Sequence, residues 1–193
     1  MESNWQETDE ELVSKYLDGD ESAFVEIVNR YLKPIYNFTY RLCGNVCEAE
    51  EITQESFLKI WKNLQKFKKG EKFKTWAFTI SRNATIDKLR KKKSFVFSDF
   101  DSEDGDSYIE DSLVDSELLP DELFEKAEGQ KNVENILSCL PENYREVMIL
   151  RYNEDMTFEE ISSVLKRTLN TVRSQHRRAL IILKDKLKMH QNR

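Results

Sequence analysis

Glycine and proline are scarce in this chain, at five and three among 193 residues. That scarcity excludes the turn chemistry of a many-stranded sandwich or barrel, and the abundant Glu, Lys and Leu point to an all-α protein. Histidine occurs only as His176 and His190. Neither stands in a metal-ligand spacing such as H-E-x-x-H, and there is no glycine-rich phosphate loop, so no enzyme, metal site or cofactor is expected. The three cysteines, Cys43, Cys47 and Cys139, are odd in number and lack C-x-x-C spacing. A disulfide framework or zinc site is therefore not indicated, and reduced, partly buried thiols are expected. No apolar run approaches the roughly 18 residues of a membrane span. The start Met1-Glu2-Ser3-Asn4-Trp5 lacks the layout of a signal peptide, so a cytoplasmic protein without membrane insertion is expected.

What is present is unevenly spread. The formal net charge is −6, yet residues 94–130 hold 13 acids, among them Asp99, Asp101, Glu103 and Asp104, against the single base Lys126. That stretch carries −12, which leaves +6 on the remainder. Self-repulsion and weak apolar periodicity make it a flexible acidic linker between two small helical domains, residues 1–93 and 131–193. It also holds Phe95, Phe97, Phe100, Tyr108 and Ile109, more apolar groups than a spacer needs. A binding partner for it is expected.

In the first domain Thr8-x-x-Glu11 has the form of a capping box ahead of Leu12, Val13, Tyr16 and Leu17, and Gly19 closes that helix. A second helix opens near Asp20 with Phe24, Ile27, Val28, Tyr31 and Ile35 on one face, and Pro34 should bend or interrupt it. The third, about Cys47 to Leu64, has an apolar stripe from Ala49 through Ile52, Phe57, Ile60 and Trp61. Its opposite face presents Glu50, Glu51, Gln54, Glu55, Lys59 and Lys62, which alone would pass for solvated surface.

After the loop Gln65 to Glu71 comes a helix whose inner stripe is Phe73, Trp76, Ala77, Ile80 and Ala84, continued by Asn83 and Asp87. Polar groups on such a stripe need partners, since an unsatisfied one costs on the order of 1 to 3 kcal/mol. The same helix carries Lys72, Lys74, Arg82, Lys88 and Arg90, interleaved with Phe67, Phe73, Trp76 and Phe78. Cations that neutralise phosphates beside aromatic faces on which bases stack are what single-stranded nucleic acid requires. Lysines paired with a helix dipole would give part of the same pattern.

The second domain begins with Val133, Ile136 and Leu137, and Leu140-Pro141-Glu142 places proline at the first turn of the next helix. Thr157-x-x-Glu160 is a second capping box, followed by Ile161, Val164 and Leu165. After a turn at Lys166 and Arg167, Thr168 can cap a last helix with Val172, Ala179, Leu180 and Leu183 inward. Outward it presents Arg173, Ser174, Gln175, Arg177 and Arg178, the spacing of a helix-turn-helix whose second helix enters the major groove. His176 reads as a surface or DNA-facing side chain.

The order of these features resembles a family. Asp18-Gly19-Asp20-Glu21-Ser22-Ala23-Phe24, then Ala49 to Trp61, then Phe73-Lys74-Thr75-Trp76 with Ile80-Ser81-Arg82-Asn83 and Ile86-Asp87, is similar to domain 2 of bacterial RNA polymerase sigma factors of the extracytoplasmic-function (ECF) subfamily. Leu140-Pro141-Glu142, Val147 to Tyr152, Glu160-Ile161 and Thr171-Val172-Arg173-Ser174 resemble domain 4 of the same subfamily. The resemblance implies that Glu51, Gln54 and Glu55 dock on the clamp helices of core RNA polymerase. It implies that Phe67, Lys68, Lys69, Gly70, Lys74, Trp76, Arg82 and Asn83 capture the minus-ten element as a single strand with one base flipped. A base inside a duplex has no free face or edge, which is the physical reason for capture. Thr168, Thr171, Arg173, Ser174, Gln175, Arg177 and Arg178 would read the minus-thirty-five duplex, and the domain would bind the polymerase flap.

The family also implies promoter DNA and, often, an anti-sigma protein as partners, and a connector threading along the path of nascent RNA. Two positions depart from its pattern: Lys166 stands where glycine is usual and Ser162 where alanine is usual. A left-handed residue other than glycine costs about 1 kcal/mol. A helix-turn-helix regulator that is no polymerase subunit is the alternative, because that motif serves many functions. Only the sigma reading predicts a docking helix, a single-strand reader, a linker and a duplex reader in this order.

Overall fold

A computed structural model describes residues 7–68, 70–96 and 137–191. Among them the chain is helical without strands: α1 (Asp9–Leu17), α2 (Glu21–Cys43), α3 (Val46–Asn63), a short 3-10 turn (Leu64–Lys66), α4 (Phe73–Val96), α5 (Glu142–Tyr152), α6 (Phe158–Leu165) and α7 (Leu169–Gln191). The all-α, two-domain reading holds. Most of the acidic linker, together with Lys69, Val133 and Ile136, lies outside the described residues, and α4 runs three residues beyond 93.

Local signals start the helices. Thr8 closes a reciprocal capping box with Glu11 on α1, Asp20 caps α2 through Ser22 N, and Asn45 caps α3 through Glu48 N. Helix α4 has no residue of that type before it. Its first amide, Phe73 N, donates instead to Glu10 Oε1 of α1 at 2.9 Å, so a long-range carboxylate takes the part of the cap.

Helix α2 passes through Pro34 from Glu21 to Cys43 without interruption. Proline removes one intrahelical bond, but Tyr31, Ile35, Phe38 and Leu42 on both sides of it are buried and hold the two halves on one axis. These side chains cluster with Ile60 of α3 and Phe73, Ala77 and Phe78 of α4, all fully buried. Phe38 and Phe78 meet edge to face at 5.4 Å, and Tyr31 and Phe73 do so at 5.2 Å. Such pairs add roughly 0.5 to 1.5 kcal/mol beyond area burial. Thr39 and Thr53 bond across α2 and α3 at 3.2 Å, and Ser56, Ser81 and Thr85 each donate to the carbonyl four residues back. Small hydroxyl residues therefore sit in the core without unsatisfied donors.

Several burial expectations are corrected. Trp61 is half exposed and donates its indole N–H to the Tyr16 hydroxyl at 2.6 Å, because α1 covers that edge of α3 only partly. Asp87 is exposed, and Asn83 is half-buried. The buried stripe of α4 runs instead through Phe73, Ala77, Phe78, Ser81, Ala84 and Thr85. Phe73 is enclosed, as its place on the inner stripe predicts, and Phe78, interleaved with the cations in the sequence, is enclosed too and cannot stack on a base. Cys47 and Cys139 are exposed, while Cys43 is half-buried.

In the second domain α5, α6 and α7 pack around Val147, Met148, Leu150, Ile161, Val164, Leu165, Val172, Ala179 and Leu183. Pro141 sits at the cap position of α5, one residue before the first turn expected for it. Arg145 donates to the carbonyls of Leu137, Ser138 and Leu140 at 2.9 to 3.0 Å, closing the preceding turn. The two domains touch along α4 with α6 and α2 with α5.

Candidate nucleic-acid and polymerase interfaces

The polar face of α3 is formed as its sequence suggests. Glu51, Gln54 and Glu55 are exposed, Glu51 pairs with Lys88 of α4 at 2.7 Å, and Glu55 pairs with Lys59 at 2.7 Å. Gln54 also lines a groove of about 430 Å³ between α2 and α3, with Leu32, Lys33, Tyr36 and Glu50. The Leu32 side chain is half exposed there, so the groove combines an apolar floor with a polar rim.

The single-strand set divides. Lys68 and Gly70 are exposed, and Gly70 has φ 97°, a conformation that bends the loop sharply away from the 3-10 turn. Phe67 packs against Phe73 and Trp76, with ring centroids 5.8 and 5.4 Å away, which anchors the loop to α4. A wide groove of about 970 Å³ lies beside this loop, lined by Val13, Leu17, Phe67, Gly70 and the acids Glu10 and Glu11. Asn83 does not line it, since it sits ten residues into α4, about 15 Å from Phe73 along the axis.

Arg82 and Lys74 of α4, and Lys72 just before it, are engaged by the second domain. Arg82 Nε donates to Glu146 Oε1 at 2.7 Å, while Arg167 Nη2 donates to Glu146 Oε2 at 2.7 Å. The Glu146 side chain is 1% exposed, so one enclosed carboxylate serves a guanidinium from each domain. Lys74 Nζ donates to the Glu154 carbonyl, and Lys72 pairs with Glu160 at 2.7 Å. Burial alone would raise the Glu160 carboxyl, but bonds from Lys72 and Thr157 outweigh it and hold the group at about 2. Glu154 shows the opposite balance. Burial lifts it to about 7 despite Lys74 and Arg41 nearby.

Of these carboxylates the sequence marks only Glu160, as the capping-box partner of Thr157, and none for a contact across the domains. The one signal for Glu146 is that it abuts the unbroken buried run Val147 to Leu150.

The helix-turn-helix has the expected local geometry. Thr157 and Glu160 form the capping box of α6, and Lys166 ends that helix in the left-handed region at φ 53°, where glycine was expected to be easier. Ser162 uses its hydroxyl on Arg167 O at 2.6 Å, a bond that alanine could not make and that fixes this turn. Thr168 Oγ1 accepts from Thr171 N at 3.2 Å and so caps α7, and it lies 2.8 Å from the Thr171 hydroxyl. Arg173 is exposed, with Glu159 3.6 Å away, and Ser174, Arg177 and Arg178 are half-buried. Gln175 Oε1 accepts from Arg167 at 3.2 Å.

His176 is not the surface group expected. Its Nε2 lies 2.7 Å from the Tyr152 hydroxyl, and its ring packs edge to face on Phe158. The ring therefore ties α7 to α5 and α6. Burial, with Arg151 adding positive charge, lowers its pKa from 6.5 to about 4.

These two groups give opposite pH slopes. Between pH 6.5 and 4 the unfolded chain takes up a proton that folded His176 refuses, so its stabilisation is lost as pH falls. Folded Glu154 keeps a proton that the unfolded carboxyl has lost between pH 4.5 and 7, so its stabilisation is lost as pH rises. Urea midpoints measured from pH 4 to 7.5 should therefore fall less steeply toward acid in His176→Gln. In Glu154→Gln they should decline less toward neutrality. Curves parallel to wild type would contradict both assignments.

The comparisons with known proteins bear on both halves. Sigma-70 region 2 matches residues 27–95, and Sigma-70 region 4 matches residues 130–183. The ECF RNA polymerase sigma factor SigW of Bacillus subtilis is 33% identical over 171 residues, covering 88% of this chain and 91% of that protein. The chain belongs to the ECF sigma factors. The RNA polymerase sigma-H factor of Pseudomonas aeruginosa is 29% identical, with 90% of this chain and 91% of that protein covered. Among solved structures, CnrH in complex with the cytosolic domain of CnrY gives a TM-score of 0.68 at 19% identity over 95% of this chain and 99% of that one. The sigma factor RpoE with the anti-sigma factor NepR from Bartonella quintana gives 0.63 at 23% identity, over 86% of this chain and 96% of that one. Those likenesses concern the fold of this ECF factor. No helix among its described residues is long and apolar enough to cross a membrane.

Proposed function

We infer that this ECF sigma factor binds core RNA polymerase in the cytoplasm and directs promoter-specific initiation without a cofactor or chemistry of its own. The carrying observation is that one chain holds three surfaces of different kinds in order: the grooved polar face of α3, the basic loop and α4, and the helix-turn-helix of α6 and α7. Glu51, Gln54 and Glu55 meet the clamp helices. Lys68, Lys69, Gly70 and the cations of α4 hold the minus-ten strand, for which a dense phosphate charge supplies the affinity. Thr168, Thr171 and the outward arginines of α7 approach the minus-thirty-five duplex, and the same domain meets the flap. An anti-sigma partner is proposed because the structurally similar RpoE was solved together with the anti-sigma factor NepR. The helix-turn-helix regulator draws no support from α3, which such a protein does not need.

Reconstitution with core polymerase and a genomic fragment library tests this reading through the start sites it produces. Within that assay Asn83→Ala should reduce permanganate reactivity of unpaired thymines by roughly tenfold, about 1.4 kcal/mol, while closed-complex formation stays within about twofold. Equal loss of both steps would assign Asn83 a folding role. No start sites above core alone would refute the sigma reading.

A further inference from the structure

The loop assigned to the minus-ten strand ends where α4 begins, and α1 holds that point. Phe73 N, the first amide of α4, donates to Glu10 Oε1 at 2.9 Å across 63 residues of sequence. Lys72, at the cap position, carries an ammonium that only donates, so its side chain cannot take the amide. Glu10 is itself fixed from both sides. Asp9 accepts from Arg30 Nη1 at 3.1 Å and from the Tyr31 hydroxyl, Arg30 Nη1 also donates to the Glu7 carbonyl at 2.6 Å, and Glu11 closes the capping box with Thr8. The first turn of α1 is thereby bound to α2, and its carboxylate is a stationary acceptor.

The loop thus has an anchor at each end. Phe67 packs against Phe73 and Trp76 at one end, with ring centroids 5.8 and 5.4 Å away, and the Glu10 bond fixes the start of α4 at the other. Between them Glu71 N donates to Lys68 O at 3.1 Å, and Gly70 at φ 97° sets the bend. An uncapped helix frays from its first turn, which would free the far end of this loop. A loop already held in its bound shape loses less freedom when it takes a ligand.

We propose that Glu10 is a positioning residue for strand capture: by accepting from Phe73 N it holds Phe67, Lys68 and Gly70 in the shape that takes the unpaired minus-ten base. The assignment deepens the sigma reading above and rests on it. Glu10 is exposed in the free chain, so water can reach the amide once this side chain is cut back. A strand lying on the loop excludes that water and leaves the N–H unsatisfied. The bond therefore matters more with the strand captured than without it. Closed-complex formation, which draws on α7 and the polymerase, does not depend on it.

The test uses the reconstituted holoenzyme on a promoter whose start site it has mapped. Glu10→Gln keeps an oxygen acceptor at the same reach without the charge, Glu10→Asp keeps the charge but is one methylene shorter, and Glu10→Ala removes both. Permanganate reactivity of unpaired thymines should fall about tenfold in the alanine and aspartate variants and stay within about threefold of wild type in the glutamine variant. Closed-complex formation should stay within about twofold in all three. Wild-type opening by a folded alanine variant overturns the proposal. A glutamine variant as impaired as alanine does so too, by assigning the effect to charge, and so does an aspartate variant that opens as well as glutamine, because reach would then be irrelevant. Equal loss of closed and open complexes would leave Glu10 a folding role alone and also overturns it. If Glu10→Ala does not fold, the aspartate and glutamine variants decide. Failure of the wild-type holoenzyme to initiate at all would instead strike the sigma reading, so the two failures are separable.

Discussion

A Glu51→Ala/Gln54→Ala/Glu55→Ala variant should fold like wild type and bind core polymerase about 100-fold more weakly, roughly 2.7 kcal/mol. Its fold is protected for two reasons. All three residues lie on the outer face of α3, away from Ala49, Ile52, Ser56 and Ile60, and alanine is the best helix former. The ion pairs lost, Glu51 with Lys88 and Glu55 with Lys59, are solvent-exposed and contribute little to stability.

Binding has no such protection, because truncating polar groups that become desolvated in an interface leaves partner charges unpaired. Gln54 at the groove between α2 and α3 should account for more of the effect on dissociation, and the two glutamates for more of the salt-dependent association. Competition with a labelled sigma factor for core, alongside a urea melt of the free variant, separates binding from folding. Wild-type affinity would remove the polymerase-docking role from this face.

Arg173→Ala should weaken binding to the upstream element by roughly 5- to 150-fold, the 1 to 3 kcal/mol of a lost bidentate base contact, and relax preference at one position. Arg173 stands exposed in the second turn of α7, near the end that enters the groove, and Glu159 at 3.6 Å holds it only loosely. Arg178, further along and half-buried, should act as a phosphate anchor. Its replacement should weaken all sequences alike and lower the salt slope by about one. Holoenzyme binding to a randomised upstream element at several salt concentrations distinguishes the two. An unaltered preference in Arg173→Ala would shift the base-reading role toward Arg177. No effect from either substitution would exclude α7 as the reader.

Part of the candidate site was legible from the residues. The exposed face of α3, the caps Thr8, Thr157 and Thr168, and the left-handed turn at Lys166 stand where the spacing placed them. Other assignments failed for one physical reason. Phe78 and His176 were read outward and are packed inward, while Trp61 was read inward and is half exposed. A broad apolar stripe fixes a helix's period but not the edge at which its neighbours stop covering it.

By itself the sequence determined which segments are helices, where most of them begin, and the order of the surfaces along the chain. Those properties follow from a 3.6-residue period and from bonds between residues three or four apart, so they are written within a single turn. Tertiary structure alone decided that Glu10 caps α4, that Pro34 leaves α2 whole, and that Glu146 joins Arg82 to Arg167. In each case the outcome depends on what another helix brings against the group, a carboxylate for Phe73 N and Arg82 and apolar packing around Pro34. For Arg82 that partner lies 64 residues away, beyond the reach of any local pattern.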